Sequence, residues 1–391
     1  MAFCAVLPIS IAGLNIGMGL VTVALLLHYR KTRSLPWTHG ADDAARALCI
    51  YLVAALLTSA FGLSPSRSFH FFYKDLHKAW IFFLLIPALG ACRRAPIHWA
   101  LGAGFAAIAG VGIAQSLTQR YPGTDSWVRA HGFVHAVTFG EQMALALLGG
   151  LCFLKRKEAD TVGARATWIL WAFLVLIAAA LLLSQTRGAF LGFLVGFGAL
   201  CLVDEGMRGK AAAMAGLSLG AFALLQLLHS DRSLLRVIPS FGKGYADLLT
   251  PQLQRVYLWD VALKIFKDHP LFGVGPDNYG LVFNRYFHMR LEGETTWGSA
   301  HNLYLHQLAE RGLLGLLALA ALLYALAARA HQRAQENPNA WNLLSWAAIA
   351  GFLAMNLTEV AFQSEQMATL VLFLWAWAEA NHHPLSSSPI T

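Results

Sequence analysis

Residues 166–204 read ATWILWAFLVLIAAALLLSQTRGAFLGFLVGFGALCLVD, two apolar runs joined by the short polar link Gln185-Thr186-Arg187. Each run has the length of a membrane-spanning helix, for which the range is roughly 17–25 residues. Backbone polar groups in lipid must be satisfied within their own segment, so each run is predicted to be helical. We therefore expect two antiparallel spans joined by a tight link.

The rest of the chain repeats this pattern. Of its 391 residues 57% are apolar and only 13% are charged, which is about half the charged fraction of a soluble protein. This composition excludes a secreted disulfide scaffold and a nucleic-acid-binding domain, despite the net charge of +8. The segments predicted to span the membrane are about 8–28, 45–63, 76–92, 97–117, 132–154, 166–184, 188–204, 211–229, 301–328, 341–361 and 366–380.

The fold class predicted from these segments is an all-α polytopic membrane protein. A single span at residues 1–29 gives eleven helices, whereas a break into two short helices at Pro8 and the glycines after it gives twelve, which we favour. The predicted organisation is a transmembrane region 1–229, a large loop 230–300 with short amphipathic helices, a second transmembrane region 301–380, and a disordered cytoplasmic tail 381–391.

Positive charge alternates between successive loops and predicts the orientation. One set of loops holds thirteen Lys or Arg residues and the other set of short loops holds five, including Arg187. Because cytoplasmic loops are the basic ones, the link at Arg187 and the loop 230–300 are expected on the outer face. Residues of that face are therefore the candidates for chemistry outside the cell's cytoplasm.

Two arginines on this face are candidates for binding an anion. Arg187 cannot lose its proton and is costly in lipid, so it faces either a ligand or the lipid phosphates. Arg255 lies in a helix-like stretch with apolar residues at Val256, Leu263 and Phe266. Its alternative is a solvent-exposed position or an ion pair with Asp260 or Asp268. Together two arginines could grip a diphosphate.

His301 marks the point where the long loop enters the next span, in Ser299-Ala300-His301-Asn302-Leu303-Tyr304-Leu305. A neutral imidazole at the membrane boundary is suited to take a proton from a sugar hydroxyl. The alternative is a capping or packed histidine. No HExxH motif is present, so no metal site is predicted.

The remaining polar candidates are of three kinds. The turn 269–277 is expected to aim Asn278 and Tyr279 back at the membrane. Glu310 and Arg311 form either a polar patch deeper in the span or a local ion pair. Lys78, Glu141 and Glu359 lie inside or near spans, where they would be coupling groups of a transporter or, as we favour for the two glutamates, ties between helices.

Taken together, Ser184-Gln185-Thr186-Arg187-Gly188, Arg255 to Trp259, His269-Pro270-Leu271-Phe272-Gly273-Val274-Gly275, His301 to Leu305 and Glu310-Arg311-Gly312 resemble the bacterial O-antigen ligase and polymerase superfamily. The motifs cover about 184–315, and the hydropathy profile matches over nearly the full length. Arg311 departs from the pattern, because relatives commonly have a small or apolar residue there. The ligase pattern is matched best, and the absence of a soluble domain after the last span disfavours the branch that glycosylates proteins.

The resemblance implies a metal-independent glycosyltransferase of the bacterial inner membrane that needs no cofactor. Its donor would be glycan on undecaprenyl diphosphate and its acceptor lipid A-core oligosaccharide. Arg187 and Arg255 would hold the diphosphate, His301 would be the base of an inverting displacement, and Asn302, Tyr304, Asn278 and Glu310 would support them. An O-antigen polymerase is the nearest alternative and a secondary transporter or lipid flippase the more distant one. The oligomeric state is not indicated by the sequence.

Overall fold

The computed structural model describes residues 2–91, 97–120, 128–159, 164–208, 220, 251–287 and 296–382, and their regular elements are helices. This part of the chain is all-α, as predicted. The helices are α1 (Ala2–Val6), α2 (Ile11–Thr32), α3 (Asp42–Ala60), α4 (Pro65–Ala91), α5 (Ile97–Thr118), α6 (Ala136–Ala159), α7 (Ala164–Ser184), α8 (Arg187–Val203), α9 (Pro251–Asp268), α10 (Tyr279–Tyr286), α11 (Leu303–Glu336), α12 (Ala340–Met355) and α13 (Glu365–His382).

The chain is a multi-pass membrane protein. Six of the described helices are long and apolar enough to cross a bilayer, and α8 and α12 are shorter apolar helices. Ten of the eleven predicted segments coincide with a helix. The segment 211–229 lies outside the described residues except for residue 220, and so do residues 230–250 and 288–295 of the predicted loop and residues 383–391 of the predicted tail.

The N-terminal region breaks unequally rather than into two short spans. Helix α1 has five residues, about 7.5 Å of helix, which is too short to cross a membrane. It folds back on α2, where a Cβ on Gly17 would lie 2.6 Å from the ring of Phe3. Of the two helices, α2 is the one long and apolar enough to cross a bilayer, and it begins at Ile11 after a Ser10 cap.

Helix α12 is the centre of the bundle. Fourteen of its 16 residues are buried, as expected of a helix that is apolar on every face. Helix α8 packs closely on it because small residues face each other: a Cβ on Gly192 would lie 2.9 Å from the carbonyl oxygen of Gly351. The indole of Trp346 also donates to the carbonyl of Ala199 at 2.9 Å.

Helix α11 is broken at Gly312, which has φ 62° and ψ −163°. The turn after α9 fills the break with backbone hydrogen bonds: Val274 donates to Ala309 at 3.0 Å, Gly275 to Glu310 at 2.7 Å, and Leu313 to Pro270 at 2.8 Å. The turn 269–275 and the Glu310-Arg311-Gly312 motif, which are far apart in the sequence, therefore form one structural unit. This unit fixes α9 against α11.

The helix predicted around Val256 is present as α9. The residues that face α11 are Leu258, Val261 and Ile265, whereas Val256 and Leu263 are exposed. Arg255, near the start of α9, reaches Glu359 in the link between α12 and α13.

Gly312→Ala is expected to destabilise the fold by about 1–3 kcal/mol, the typical cost of a non-glycine residue held in a disfavoured backbone conformation. A methyl group there would also lie 2.7 Å from the backbone nitrogen of Gly273. The thermal midpoint of the purified protein should fall, and that of Gly19→Ala, where nothing lies within 4 Å, should not. An unchanged midpoint in Gly312→Ala would contradict the described contact.

Candidate active site

Four segments meet at one end of the bundle. They are the link between α7 and α8, the first turns of α9, the residue that precedes α11, and the link 356–364 between α12 and α13. Helix α11 starts here and α7 and α12 end here, so the site forms where spans leave the apolar core. The three principal predicted residues, Arg187, Arg255 and His301, lie on three of these segments.

Arg187 is the first residue of α8 and is held by a tightly bonded turn. Gln185 adopts φ 52°, and Thr186 is the extended residue before the helix. The guanidinium of Arg129 donates to the carbonyl of Ser184 at 2.8 Å and to the hydroxyl of Thr186 at 2.9 Å. Sequence reasoning did not single out Arg129, which these two hydrogen bonds make a support of the turn that presents Arg187.

His301 is presented by the start of α11. It adopts φ 46°, and the next residue, Asn302, caps the helix by accepting from the backbone of Leu305 at 3.0 Å. The Asn302 amide also donates to the carbonyl of Leu357 at 2.9 Å. The phenol of Tyr304 donates to the carbonyl of Leu353, also at 2.9 Å. Asn302 and Tyr304 therefore tie the start of α11 to the end of α12, beside His301.

The carboxylate of Glu359 joins the predicted residues. One oxygen accepts from Nη2 of Arg255 and the other lies 3.1 Å from Nδ1 of His301. The carboxylate side chain is 9% exposed, while those of Arg255 and His301 are 30% and 34% exposed. The anion is thus enclosed, and its two partners remain within reach of a ligand.

This contact indicates which ring nitrogen of a neutral His301 carries the proton. A carboxylate can only accept hydrogen bonds, so Nδ1 of neutral His301 carries the proton and donates it to Glu359. Its Nε2 is then the atom with the free lone pair, as a general base requires. The ring is also held edge-on against Trp297, with centroids 5.9 Å apart. The alternative of a capping histidine is wrong, because the cap is Asn302.

Arg187 completes the cluster from the other side. The following residue, Gly188, lets the link 356–364 approach: a Cβ there would lie 3.8 Å from Cγ of Glu359 and would clash with the hydroxyl of Thr358. Arg187 and Arg255 thus bring two guanidinium groups to this end of the bundle, and guanidinium groups suit a polyanionic ligand.

Neither of the two predicted ion pairs of Arg255, with Asp260 or with Asp268, is observed. Asp260 pairs with Lys264 at 2.6 Å and Asp268 accepts from the phenol of Tyr286 at 2.9 Å. The partner of Arg255 is instead 104 residues away in the chain.

The interpretation of Glu359 as a tie between elements agrees with its contacts to Arg255 of α9 and to His301 before α11, but the residue lies outside the helix rather than within a span. The predicted span 341–361 is too long, because α12 ends at Met355, where Asn356 begins the link. Glu359 therefore lies at the mouth of the bundle, level with His301. The available signal was its position at the same end of a span as the candidate histidine.

Asn278 and Glu310 lie apart from this cluster. The Asn278 amide donates to the hydroxyl of Ser68 at 3.1 Å, and Glu310 accepts from the backbone of Tyr279 at 3.1 Å and contacts His306 at 3.3 Å. Burial raises the pKa of the Tyr279 phenol, which therefore stays protonated and donates to Leu258. These residues support the docking of the loop on α11.

Arg311 and Lys78 form a further buried cluster around Asp75. The guanidinium lies 2.6 Å from one Asp75 oxygen, and Lys78 lies 3.3 Å from the other. Tyr51 donates to the same carboxylate at 3.1 Å. Glu310 and Arg311 thus do not pair with each other. The unusual Arg311 has a structural explanation, since it joins α11 to α4 beside the break at Gly312.

Two further observations concern the rest of the described chain. No group of three or more His, Cys, Asp or Glu side chains is gathered there as a set of metal ligands would be. Glu141 is buried on α6, and its Oε1 has no hydrogen-bond partner among the described residues.

Comparison with known proteins confirms the resemblance at the level of the family. Residues 172–320 match the sequence model of a family described as O-antigen ligase, and this range contains Arg187, Arg255 and His301 but not Glu359. A protein of Haemophilus influenzae described as uncharacterized is 25% identical over 180 residues. That alignment covers 43% of this chain and 43% of the relative, so the chain spans less than half of the relative's length.

Proposed function

We propose that this chain, which carries an O-antigen ligase family domain at residues 172–320, is an O-antigen ligase of the bacterial inner membrane. It would transfer glycan from undecaprenyl diphosphate to a sugar hydroxyl of lipid A-core oligosaccharide. The observation that carries this proposal is the contact of Glu359 with both His301 and Arg255. One carboxylate there links a candidate base to a candidate anion site.

The donor diphosphate is assigned to Arg187 and Arg255. Arg187 precedes Gly188, which packs against the link that carries Glu359, the partner of Arg255, and guanidinium groups bind phosphate oxygens bidentately. As the glycosyl–phosphate bond breaks, negative charge accumulates on the departing lipid diphosphate. Cations fixed in place before the reaction stabilise this charge and make the diphosphate a better leaving group.

The acceptor hydroxyl is assigned to His301. Its Nε2 takes the proton as the hydroxyl oxygen attacks the anomeric carbon, and Nδ1 keeps its hydrogen bond to Glu359. The imidazolium that forms is stabilised by the neighbouring carboxylate. One bond forms and one breaks on opposite faces of the sugar, so the anomeric configuration inverts.

The energy for transfer comes from the phosphate-linked donor, and the two arginines provide the charge stabilisation that a divalent cation would otherwise supply. We therefore propose that the reaction needs neither metal nor nucleotide. The loops at the end of the bundle opposite the site carry the larger number of Lys and Arg residues. This distribution would orient the chain with the site on the periplasmic face.

Arg187→Lys and Arg255→Lys are each expected to lower the transfer rate strongly. Lysine keeps the charge but loses the planar fork that binds a diphosphate, and removal of one such donor costs about 10²- to 10³-fold in comparable sites. The rate is measured in vesicles that contain lipid-linked glycan and core lipid. Arg67→Lys is the matched control, since Arg67 pairs with Asp277 at 2.8 Å away from the cluster. Normal rates in both site variants would remove the diphosphate assignment.

The choice of acceptor separates the two functions that the family includes. Purified protein is supplied with lipid-linked glycan and, in parallel, with core lipid or with a second lipid-linked glycan, in the presence of a chelator. Product on core lipid supports the ligase. Product only on lipid-linked glycan would identify a polymerase, and no product with either acceptor would return the transporter to consideration.

A further inference from the structure

Trp297 is a half-buried tryptophan beside the candidate base, and the proposed reaction gives it no role. It lies between α10 and α11, and its ring centroid is 5.9 Å from that of His301 with the two rings inclined at 73°. Its side chain also packs against an apolar cluster that includes Leu258 of α9 and Phe283 of α10. The indole is therefore anchored by apolar packing and reaches the candidate site.

Part of the indole remains open to a ligand. A near-perpendicular ring contact covers at most one face of the indole. The residues on either side, Thr296 and Gly298, are exposed, and a Cβ built on Gly298 meets no described atom within 4 Å. Among the described residues none accepts a hydrogen bond from the indole N–H. An aromatic surface and one polar donor are thus available beside His301.

This surface suits the uncharged part of a glycan. The C–H bonds on one face of a pyranose ring carry partial positive charge, and the face of an indole is negative, so the two can stack. The other side chains of the cluster, Arg187, Arg255 and Glu359, are charged and are assigned to the diphosphate or to the imidazole. Small-molecule sites commonly combine aromatic surface with a few polar groups, and Trp297 supplies the aromatic surface here.

The position of Trp297 points to the acceptor sugar. A hydroxyl that loses its proton to Nε2 of His301 must lie within about 2.6–3.2 Å of that nitrogen. Carbon atoms in van der Waals contact are about 3.5–4.0 Å apart. With the two ring centroids 5.9 Å apart, a sugar ring stacked on the indole can place a hydroxyl at the imidazole.

We propose that Trp297 is the surface on which the acceptor sugar stacks, and that this contact holds the attacking hydroxyl at His301. The inference rests on the proposed function, because it names the acceptor subsite of that reaction. It makes the reaction selective for a hydroxyl carried by a pyranose with a C–H-rich face. A hydroxyl on a flexible chain lacks this contact and the orientation that it provides.

The chain offers a matched control. Trp80 of α4 is 37% exposed, its ring lies 5.3 Å from that of His77, and His77 contacts Glu365 at 3.0 Å. The same three residue types thus occur together outside the candidate site. Trp297→Leu removes the proposed stacking surface, Trp297→Phe retains a smaller aromatic face, and Trp80→Leu makes the same loss at the control position.

The first test measures transfer kinetics in vesicles. The apparent KM for core lipid should rise roughly 10-fold in Trp297→Leu, the effect expected when an aromatic contact and its buried area are lost, while the KM for lipid-linked glycan stays the same. Trp297→Phe should recover most of the loss, and Trp80→Leu should match the wild type. A role limited to supporting His301 would instead lower kcat and leave the KM for core lipid unchanged.

The second test needs no turnover. Core oligosaccharide released from its lipid is added to the full chain in nanodiscs, and saturation-transfer NMR records which sugar protons contact the protein. In the wild type and in Trp80→Leu, the C–H protons on one face of a sugar ring should receive the strongest saturation. This pattern should be lost in Trp297→Leu and retained in Trp297→Phe.

Three results would overturn the inference: no saturation of the sugar by the wild type, the same pattern in Trp297→Leu, or a lower kcat at unchanged KM. The two tests also separate this inference from the reaction itself. If the wild type transfers glycan to neither acceptor but the saturation pattern depends on Trp297, the proposed reaction is wrong and the sugar-stacking role stands. Normal transfer by a Trp297→Leu protein with unchanged KM would remove the stacking role and leave the reaction.

Discussion

His301→Ala is expected to reduce glycan transfer by about 10²- to 10⁴-fold, the usual contribution of a general base. The substitution removes the only atom proposed to accept the acceptor's proton, Nε2. The backbone of residue 301 should keep its place, because the Asn302 cap and its bond to Leu357 hold the start of α11. The loss should therefore appear in the rate and not in the amount of folded protein.

The assay compares initial rates in vesicles at saturating donor, with the thermal midpoint measured in parallel. His70→Ala is the matched control, because His70 is exposed at the same end of the bundle and contacts only Tyr73 among the described ring pairs. Near-normal turnover of a folded His301→Ala protein would exclude His301 as the base.

Glu359→Gln is expected to lower the rate by a similar factor, about 10²- to 10⁴-fold, although it preserves shape. A glutamine side chain can accept from Arg255 with its oxygen only if its amide nitrogen faces His301. The amide would then donate to Nδ1, so the proton of neutral His301 would move to Nε2. The base would be present in its unreactive tautomer.

A second histidine–glutamate pair provides the control for this substitution. His77 lies 3.0 Å from Glu365, and Glu365→Gln removes a comparable contact without touching the candidate site. Transfer should be close to normal in Glu365→Gln and strongly reduced in Glu359→Gln. Equal activity in the two variants would mean that Glu359 has only a packing role.

The sequence predicted the helical fold well, because length and apolarity determine which segments can cross a membrane. Ten predicted spans coincide with helices, but the ends of the spans were less accurate. The end of α12 mattered most, since extending the span to residue 361 hid Glu359 within it. Where a helix ends is decided by local hydrogen bonds, here those of Asn356 to Phe352 and Phe362, and hydropathy does not report them.

From the sequence the residues of the candidate site are separate candidates without a common partner. Topology predicted that Arg187, Arg255 and His301 share one face, and the structure brings them to one cluster. What joins them, the carboxylate of Glu359, depends on contacts across 58 and 104 residues of sequence. The partner of Arg311, Asp75, is 236 residues away. Pairings over such separations follow from helix packing, which a single sequence does not encode in any local pattern.

The central claim is that Glu359 acts largely through His301, and a double-mutant cycle tests it most directly. Transfer rates are measured for wild type, His301→Ala, Glu359→Gln and the double variant in the same vesicles. Residues that act as one unit are strongly non-additive, so Glu359→Gln should reduce the rate far less in the His301→Ala background than in the wild type. An equal fold-loss in both backgrounds would show that the two residues act independently and would contradict the account.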